Sequence, residues 1–262
     1  MSELYTKEVD ESGVATVTLN RPAIHNAFND ELIIGLTKCF TQMENEDDVK
    51  VVVLTGEGAS FCAGADLNWM KKMVDYSEEE NIADSMNLAN LFHEIDTFPK
   101  PVIGKINGAA LGGGSGLVAV CDHVVAHEDA LFGFTETRLG LVPAVISPFV
   151  LSKIGASHGR SLFISGKRFD AKKAMDIGLV HQISLERHFE KDVAAVCEDF
   201  LKAAPESQEV CKKLISDVVA MDDLNEAKIY TCGVIAKRRV SSEGQEGMAA
   251  LLEKRKPNWI KK

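Results

Sequence analysis

The stretch IGKINGAALGGGSGL runs from Ile103 to Leu117 and carries an apolar strand into a run of glycines and then into a helix of small residues. Three consecutive glycines, Gly112 to Gly114, let the backbone approach a ligand closely. The unpaired N–H groups at the start of the next helix add a positive dipole end. The turn therefore presents free amides that suit an oxyanion.

Common glycine motifs do not fit these letters. A nucleophile elbow and a dinucleotide fingerprint both need glycine at position 117, which is Leu117. A P-loop needs lysine followed by serine or threonine after its glycines, and none follows. A tight packing corner between strand and helix remains the alternative, and glycines alone slightly favour it.

A second turn of the same kind, TGEGASFCAGADL, runs from Thr55 to Leu67. It follows the apolar strand Val51–Gly56 and leads into a predicted helix at Asn68–Val74. Two amide-presenting turns after two core strands are what an oxyanion hole requires.

Strand and helix signals alternate across the first two thirds of the chain. Residues 5–9 and 14–19 alternate polar and apolar residues around a turn, which predicts a hairpin. A helix is predicted from the N-cap Asn29, and another from the capping box at Ser77–Glu80. Further buried strands are predicted at Val102–Ile106, Asp122–Ala126 and Leu179–Ile183. This order predicts an α/β fold with largely parallel strands.

After Ile183 the pattern becomes helical, with segments at 185–204, 206–220, 224–238 and 243–256. We therefore predict two parts of one compact unit, a core at residues 1–195 and a helical C-terminal region at 196–262.

The net charge of −10 disfavours nucleic acid and anionic membranes as partners. The start, Met1 to Tyr5, lacks a signal or transit pattern, and the six dispersed cysteines predict reduced thiols, so we expect a cytoplasmic protein. The seven histidines form no metal-binding pattern, and no metal site is expected.

Several further motifs occur in an order that resembles the enoyl-CoA hydratase/isomerase (crotonase) family along the whole chain. They are Asn20-Arg21-Pro22 with Asn26-Ala27, Phe61 to Leu67, Pro101 to Gly114, Cys121-Asp122, Phe132-Gly133, Glu136 to Pro143, Gly178 to Val180, and a tail with Glu246 to Met248 and Glu253 to Asn258.

The resemblance implies a spiral of ββα units with a helical C-terminal trimerisation region, commonly assembled as a dimer of trimers. It implies an oxyanion hole from the amides of Ala63 and Gly113, and a CoA path along Ala63, Gly64, Ala65 and Asp66. Lys254 matches a basic residue that reaches CoA from a neighbouring subunit. Charge alone would instead favour a solvated cluster there. The resemblance also implies an acyl-CoA thioester as the substrate, with no separate cofactor.

Hydratases of the family carry two catalytic glutamates, but Gly116 occupies the first position here and only Glu136 remains. Two enzyme hypotheses follow: hydration of an enoyl-CoA by Glu136 alone, which we prefer, and Δ3,Δ2-isomerisation by the same residue. The segments around Trp69 and Ile146 look closest to bacterial methylglutaconyl-CoA hydratases of leucine degradation. A silent acyl-CoA-binding protein is the third hypothesis, which the presence of Glu136 opposes. Pocket walls are expected near Trp69, Met73 and Ile146.

Overall fold

The computed structural model describes residues 4–260, so the first three residues of the start discussed above lie outside the described residues. Two sheets are wound together, one of six strands in the order β1-β2-β3-β5-β7-β10 and one of four strands in the order β4-β6-β8-β9. The strands are β1 Tyr5–Val9, β2 Val14–Leu19, β3 Val51–Gly56, β4 Ser60–Cys62, β5 Val102–Ile106, β6 Ala109–Leu111, β7 His123–His127, β8 Leu131–Gly133, β9 Arg168–Asp170 and β10 Gln182–Ser184.

Helices connect the strands and cover the sheets. They are α1 Asp30–Glu44, α2 Leu67–Met73, α3 Glu78–Asp96, α4 Gly113–Ala119, α5 Ser147–Ser165, α6 Ala171–Asp176, α7 Phe189–Leu201, α8 Pro205–Val219, α9 Leu224–Val240 and α10 Ser242–Leu252, with 3-10 helices at Pro22–Ile24, Glu136–Leu139 and Glu186–His188. None of the helices in residues 4–260 is both long enough and apolar enough to span a membrane.

The predicted spiral of ββα units is confirmed by this order. A strand of the large sheet is followed by a short strand of the small sheet and then by a helix, as in β3-β4-α2, β5-β6-α4 and β7-β8-α5. In the six-stranded sheet the hairpin β1-β2 is antiparallel and the other neighbouring strands are parallel, whereas β8 and β9 of the small sheet pair antiparallel. Every residue of β3 is buried, because this central strand is covered on both faces.

The predicted helix starts are also confirmed. The side chain of Asn29 accepts a hydrogen bond from the Leu32 amide and caps α1. Ser77 and Glu80 form the capping box that starts α3. Both helices then bury one apolar face against the sheets, so local sequence determines where they begin and packing determines how they are oriented.

The prediction of a strand at Leu179–Ile183 is wrong in its first half. The amides of Leu179 and Val180 donate to the carbonyl of Ala174, at the end of α6, so these two buried residues close a helix. Strand β10 starts only at Gln182.

The predicted division at residue 195 falls inside α7. That helix packs on the large sheet through Phe189, Val193 and Cys197, which lie on both sides of the division. By contrast, α8 and α9 bury no residue within the chain. We therefore group α7 with the core. That the helices after α7 form a separate C-terminal region remains a prediction.

Candidate active site

A cavity of about 360 Å³ lies where the two glycine-containing turns meet α2, α3 and the segment after the 3-10 helix Glu136–Leu139. Its lining includes Gly112 and Gly113 from one turn and Ala63, Gly64 and Ala65 from the other. The two turns that the sequence placed far apart along the chain therefore open onto one space.

The glycine turn before α4 allows the helix to pack closely on β4, and it also directs a backbone amide to the cavity. Gly112 adopts φ 52° and ψ −122°, a conformation open to glycine, and turns the chain into the helix. A Cβ on Gly114 would lie 2.1 Å from the carbonyl oxygen of Cys62, so this glycine lets α4 approach β4. Gly113 is the first residue of α4, where a helical N–H has no acceptor within the helix. Its amide is therefore available to the cavity.

The predicted role of the Ala63 amide is corrected by the hydrogen bonding of the second turn. The Ala63 N–H donates to the carbonyl of His25 at 2.9 Å, so it has no free donor for a ligand. The next turn residues pair with Phe28: the Phe28 N–H donates to Gly64, and the Asp66 N–H donates to Phe28, at 2.7 and 2.8 Å.

In a parallel bridge of this kind, the N–H of the residue between the two bonded groups points away from the partner strand. That residue is Ala65, which lines the cavity. No acceptor for its amide is present among residues 4–260. The free amide of this turn that can face the cavity together with Gly113 is therefore that of Ala65, two residues beyond the predicted position.

Asp66 holds this turn in place and does not line the cavity. One carboxylate oxygen accepts from the Asn68 amide and caps α2, and the other accepts from the Arg21 guanidinium at 2.7 Å. Burial by itself would raise the pKa of the Asp66 carboxyl, but the hydrogen bonds from Asn68 and Arg21 outweigh it and lower that pKa. Asp66 is therefore a structural anion of the site.

Glu136 starts the 3-10 helix and lines the same cavity. A Cβ on Gly112 would lie 3.3 Å from Glu136 Oε1, which shows how closely the carboxyl approaches the glycine turn. Its Oε2 is buried and has no hydrogen-bond partner in the described part of the chain. Burial raises the pKa of the Glu136 carboxyl, although its own backbone amide partly offsets the effect. The structure therefore places a buried carboxyl group beside the glycine turn and inside the same cavity.

The space beside Gly116 is apolar. A Cβ at this position would lie 2.5 Å from Cγ2 of Ile146 and 2.8 Å from Cζ of Phe92. These two side chains occupy the place into which a second carboxylate would project. Position 116 therefore contributes no carboxylate to the cavity, and the carboxylates that line it within residues 4–260 are Glu136 and Asp84.

Substitution of Gly116 by alanine is expected to lower the free energy of unfolding by about 1–3 kcal/mol, because the added methyl group overpacks against Ile146 and Phe92. Urea unfolding measures this loss. Gly233→Ala is the matched control: a Cβ there meets nothing within 4 Å inside α9, so helix propensity should raise stability by about 0.5–1 kcal/mol. Equal effects of the two substitutions would contradict the packing argument.

The far wall of the cavity comes from α2 and α3, and it includes the predicted Trp69 and Met73, with Ile146 opposite. Trp69 Nε1 donates to Asp84 at 3.3 Å and joins the two helices. Asn81, Asp84 and Ser85 lie on one face of α3, so this otherwise apolar wall has a polar stripe.

Other candidate residues are not part of this cavity. Lys254 follows α10 with φ 54° and does not line it. Burial raises the pKa of the Cys62 thiol to about 12, so it is not an activated thiolate. No cluster of three or more His, Cys, Asp or Glu side chains suited to a metal ion occurs between residues 4 and 260.

Comparisons with known proteins agree along the chain. A family model described as enoyl-CoA hydratase/isomerase matches residues 9–262. The structure of an enoyl-CoA hydratase from Shewanella pealeana is 36% identical, with a TM-score of 0.94 and coverage of 98% of this chain and 96% of that one. Pseudomonas aeruginosa AtuE is 32% identical, with a TM-score of 0.94 and coverage of 99% and 100%. An enoyl-CoA hydratase/isomerase from Marinobacter aquaeolei is 29% identical, with a TM-score of 0.91 and coverage of 98% of each chain.

Proposed function

Because the chain belongs to the enoyl-CoA hydratase/isomerase family, we propose that it adds water across the 2,3 double bond of an enoyl-CoA thioester. The observation that carries the proposal is the position of the Glu136 carboxyl beside the glycine turn, in the cavity that Ala65 and Gly113 also line. The relative from Shewanella pealeana, named an enoyl-CoA hydratase, supports hydration as the reaction.

In this mechanism the amides of Ala65 and Gly113 bind the thioester carbonyl oxygen. The Glu136 carboxylate takes a proton from water while the oxygen of that water bonds to C3. The electrons of the double bond move toward the thioester, and the resulting enolate oxygen is stabilised by the two amides. The Glu136 carboxylic acid then returns the proton to C2. A single carboxylate thus serves as base and acid, and the product is a 3-hydroxyacyl-CoA.

Isomerisation is the second candidate, and the apolar filling of the Gly116 space favours it. Without a second carboxylate, Glu136 would remove a proton from C2 of a 3-enoyl-CoA to form a dienolate, whose oxygen the same two amides would bind, and would return the proton to C4, which leaves the double bond between C2 and C3. Crotonyl-CoA and a 3-enoyl-CoA, assayed in parallel, separate the two candidates. Hydration of the first substrate with at least tenfold higher kcat/KM than migration in the second supports our proposal, and the reverse order supports the isomerase.

The acyl chain is a finer part of the proposal. The resemblance to methylglutaconyl-CoA hydratases favours a chain with a distal carboxylate, to which the Ser85 hydroxyl would donate a hydrogen bond from the cavity wall. Asp84 would oppose it: burial raises the pKa of the Asp84 carboxyl, the hydrogen bond from Trp69 acts in the opposite direction, and the nearby charge of Asp30 adds to the increase. A comparison of 3-methylglutaconyl-CoA with crotonyl-CoA tests this choice.

The pH dependence of the reaction should follow Glu136. The carboxyl must be ionised to take the proton from water, and its pKa is raised by burial. We therefore expect kcat/KM to fall on acidification, with a midpoint above the ordinary glutamate pKa of about 4.5. The pH profile of kcat/KM with crotonyl-CoA measures this midpoint. A midpoint at or below the ordinary glutamate pKa would contradict the proposal that Glu136 is the base.

A homotrimer, or a hexamer built from two trimers, completes the proposal. Helices α8 and α9 bury no residue within the chain, yet they expose Ile215, Val219, Ile229 and Ile235. Exposed apolar side chains in such number are typical of protein interfaces. The resemblance implies that Lys254 would bind the CoA of a neighbouring subunit in such an assembly. A cytoplasmic location and the use of no separate cofactor belong to the same proposal.

A further inference from the structure

The Ala65 amide owes its direction to a set of contacts between two chain segments, residues 21–28 and 63–66. The backbone contributes three hydrogen bonds: the Ala63 N–H donates to His25, the Phe28 N–H to Gly64 and the Asp66 N–H to Phe28, and the last two flank Ala65. Phe28 and Ala65 form an isolated bridge, which has no neighbouring ladder to stiffen it. A side chain adds a further connection that holds the orientation of this peptide.

Arg21 supplies that further connection. One guanidinium nitrogen donates to the carbonyl of Ala27, next to Phe28, and the other donates to the carboxylate of Asp66, next to Ala65. The guanidinium therefore bridges the same two segments, through the residues adjacent to the bridged pair Phe28 and Ala65. Its planar fork, with two fixed donors, suits this task better than a single ammonium group.

The surroundings fix Arg21 and Asp66 in turn. The Arg21 N–H donates to the side chain of Asn26, a fully buried residue that also donates to the carbonyl of Ser60. The second oxygen of Asp66 caps α2. The side chains of Arg21 and Asp66 are only 13% and 10% exposed, so water screens their attraction weakly.

From this geometry we infer that Arg21, through its ion pair with Asp66, is a positioning residue for the oxyanion hole: it aims the Ala65 amide at the thioester oxygen. This inference rests on the proposed function, because it requires a thioester carbonyl in the cavity. Arg21 does not line the cavity. Its effect passes through Ala65.

The test uses the double variant Arg21→Met/Asp66→Asn, which leaves no buried charge unpaired and keeps an amide oxygen to cap α2. We expect kcat for crotonyl-CoA hydration to fall by about tenfold to 10²-fold, because small displacements of a catalytic donor have effects of this size. KM should change by less than threefold.

Arg238→Met/Glu243→Gln is the matched control. It removes an arginine–carboxylate pair of similar side-chain exposure, 18% and 10%, that lies outside the cavity.

The decisive readout is the infrared C=O stretch of bound [1-¹³C]butanoyl-CoA, a saturated thioester that cannot be hydrated. Two aligned amides should lower this frequency in the wild type and in the Arg238/Glu243 control, and the shift should be smaller in the Arg21/Asp66 variant. An unchanged shift in that variant overturns the inference, even if its activity falls. No shift in the wild type would instead overturn the proposed function, and the inference with it. Should the double variant fail to fold, Arg21→Lys replaces it, because lysine keeps the charge next to Asp66 but lacks the fork.

Discussion

Glu136→Gln is expected to lower kcat for hydration by about 10²- to 10⁴-fold, the contribution of a positioned general acid-base group. Glutamine keeps the size of the side chain next to Gly112 but can neither take a proton from water nor return one to carbon. Affinity for butanoyl-CoA should change little, because the two amides that bind the carbonyl oxygen remain. Steady-state kinetics with crotonyl-CoA and calorimetric titration with butanoyl-CoA measure the two effects.

The same substitution should not reduce stability. The folded-state pKa of Glu136 is raised by burial, so its ionised form is disfavoured by the fold at every pH above that pKa. Glutamine removes this penalty at neutral pH, and its advantage should disappear as the pH falls through the raised pKa. Glu8→Gln, at an exposed position on β1, is the control and should affect neither activity nor this pH dependence. Wild-type activity in Glu136→Gln would eliminate the proposed mechanism.

The second large effect is expected at Gly113, where proline removes the amide that we propose binds the oxyanion. Loss of one such donor typically costs about 10²- to 10³-fold in kcat. Proline is well tolerated at the first position of a helix, because the N–H there has no helical acceptor and φ near −65° suits the helix. The preceding Gly112 is not in the α conformation that proline disfavours.

Gly113→Ala is the control that isolates the N–H. Any Cβ at this position lies 3.1 Å from the Phe28 ring, so alanine and proline share that close contact, but alanine keeps the donor. The proline variant should therefore be slower than the alanine variant by the full donor effect, at similar unfolding midpoints. If both variants have the same kcat, the Gly113 amide does not bind the oxyanion.

Long and strongly patterned elements could be predicted from the sequence. The all-apolar run of β3, the capped starts of α1 and α3, and the glycines before α4 each carry their signal in neighbouring residues. The small sheet was missed because its strands, β4, β6, β8 and β9, have only three residues each. Three residues are too few for periodicity, and these strands are specified by partners far along the chain.

For the candidate site, too, some features follow from the sequence and others only from the tertiary structure. The sequence by itself determined that two glycine turns follow buried strands, that Glu136 is present and that position 116 has no carboxylate, because these are properties of residue identity and local order. Only the tertiary structure decided that Ala65 rather than Ala63 has the free amide, since His25 and Phe28 take the other bonds of that turn. It also decided that Ile146 and Phe92 fill the space beside Gly116. Hydrogen-bond partners and packing neighbours come from segments that are distant in the sequence. An amide that is already bonded within the protein cannot also bind a ligand, and a space filled by one side chain cannot hold another.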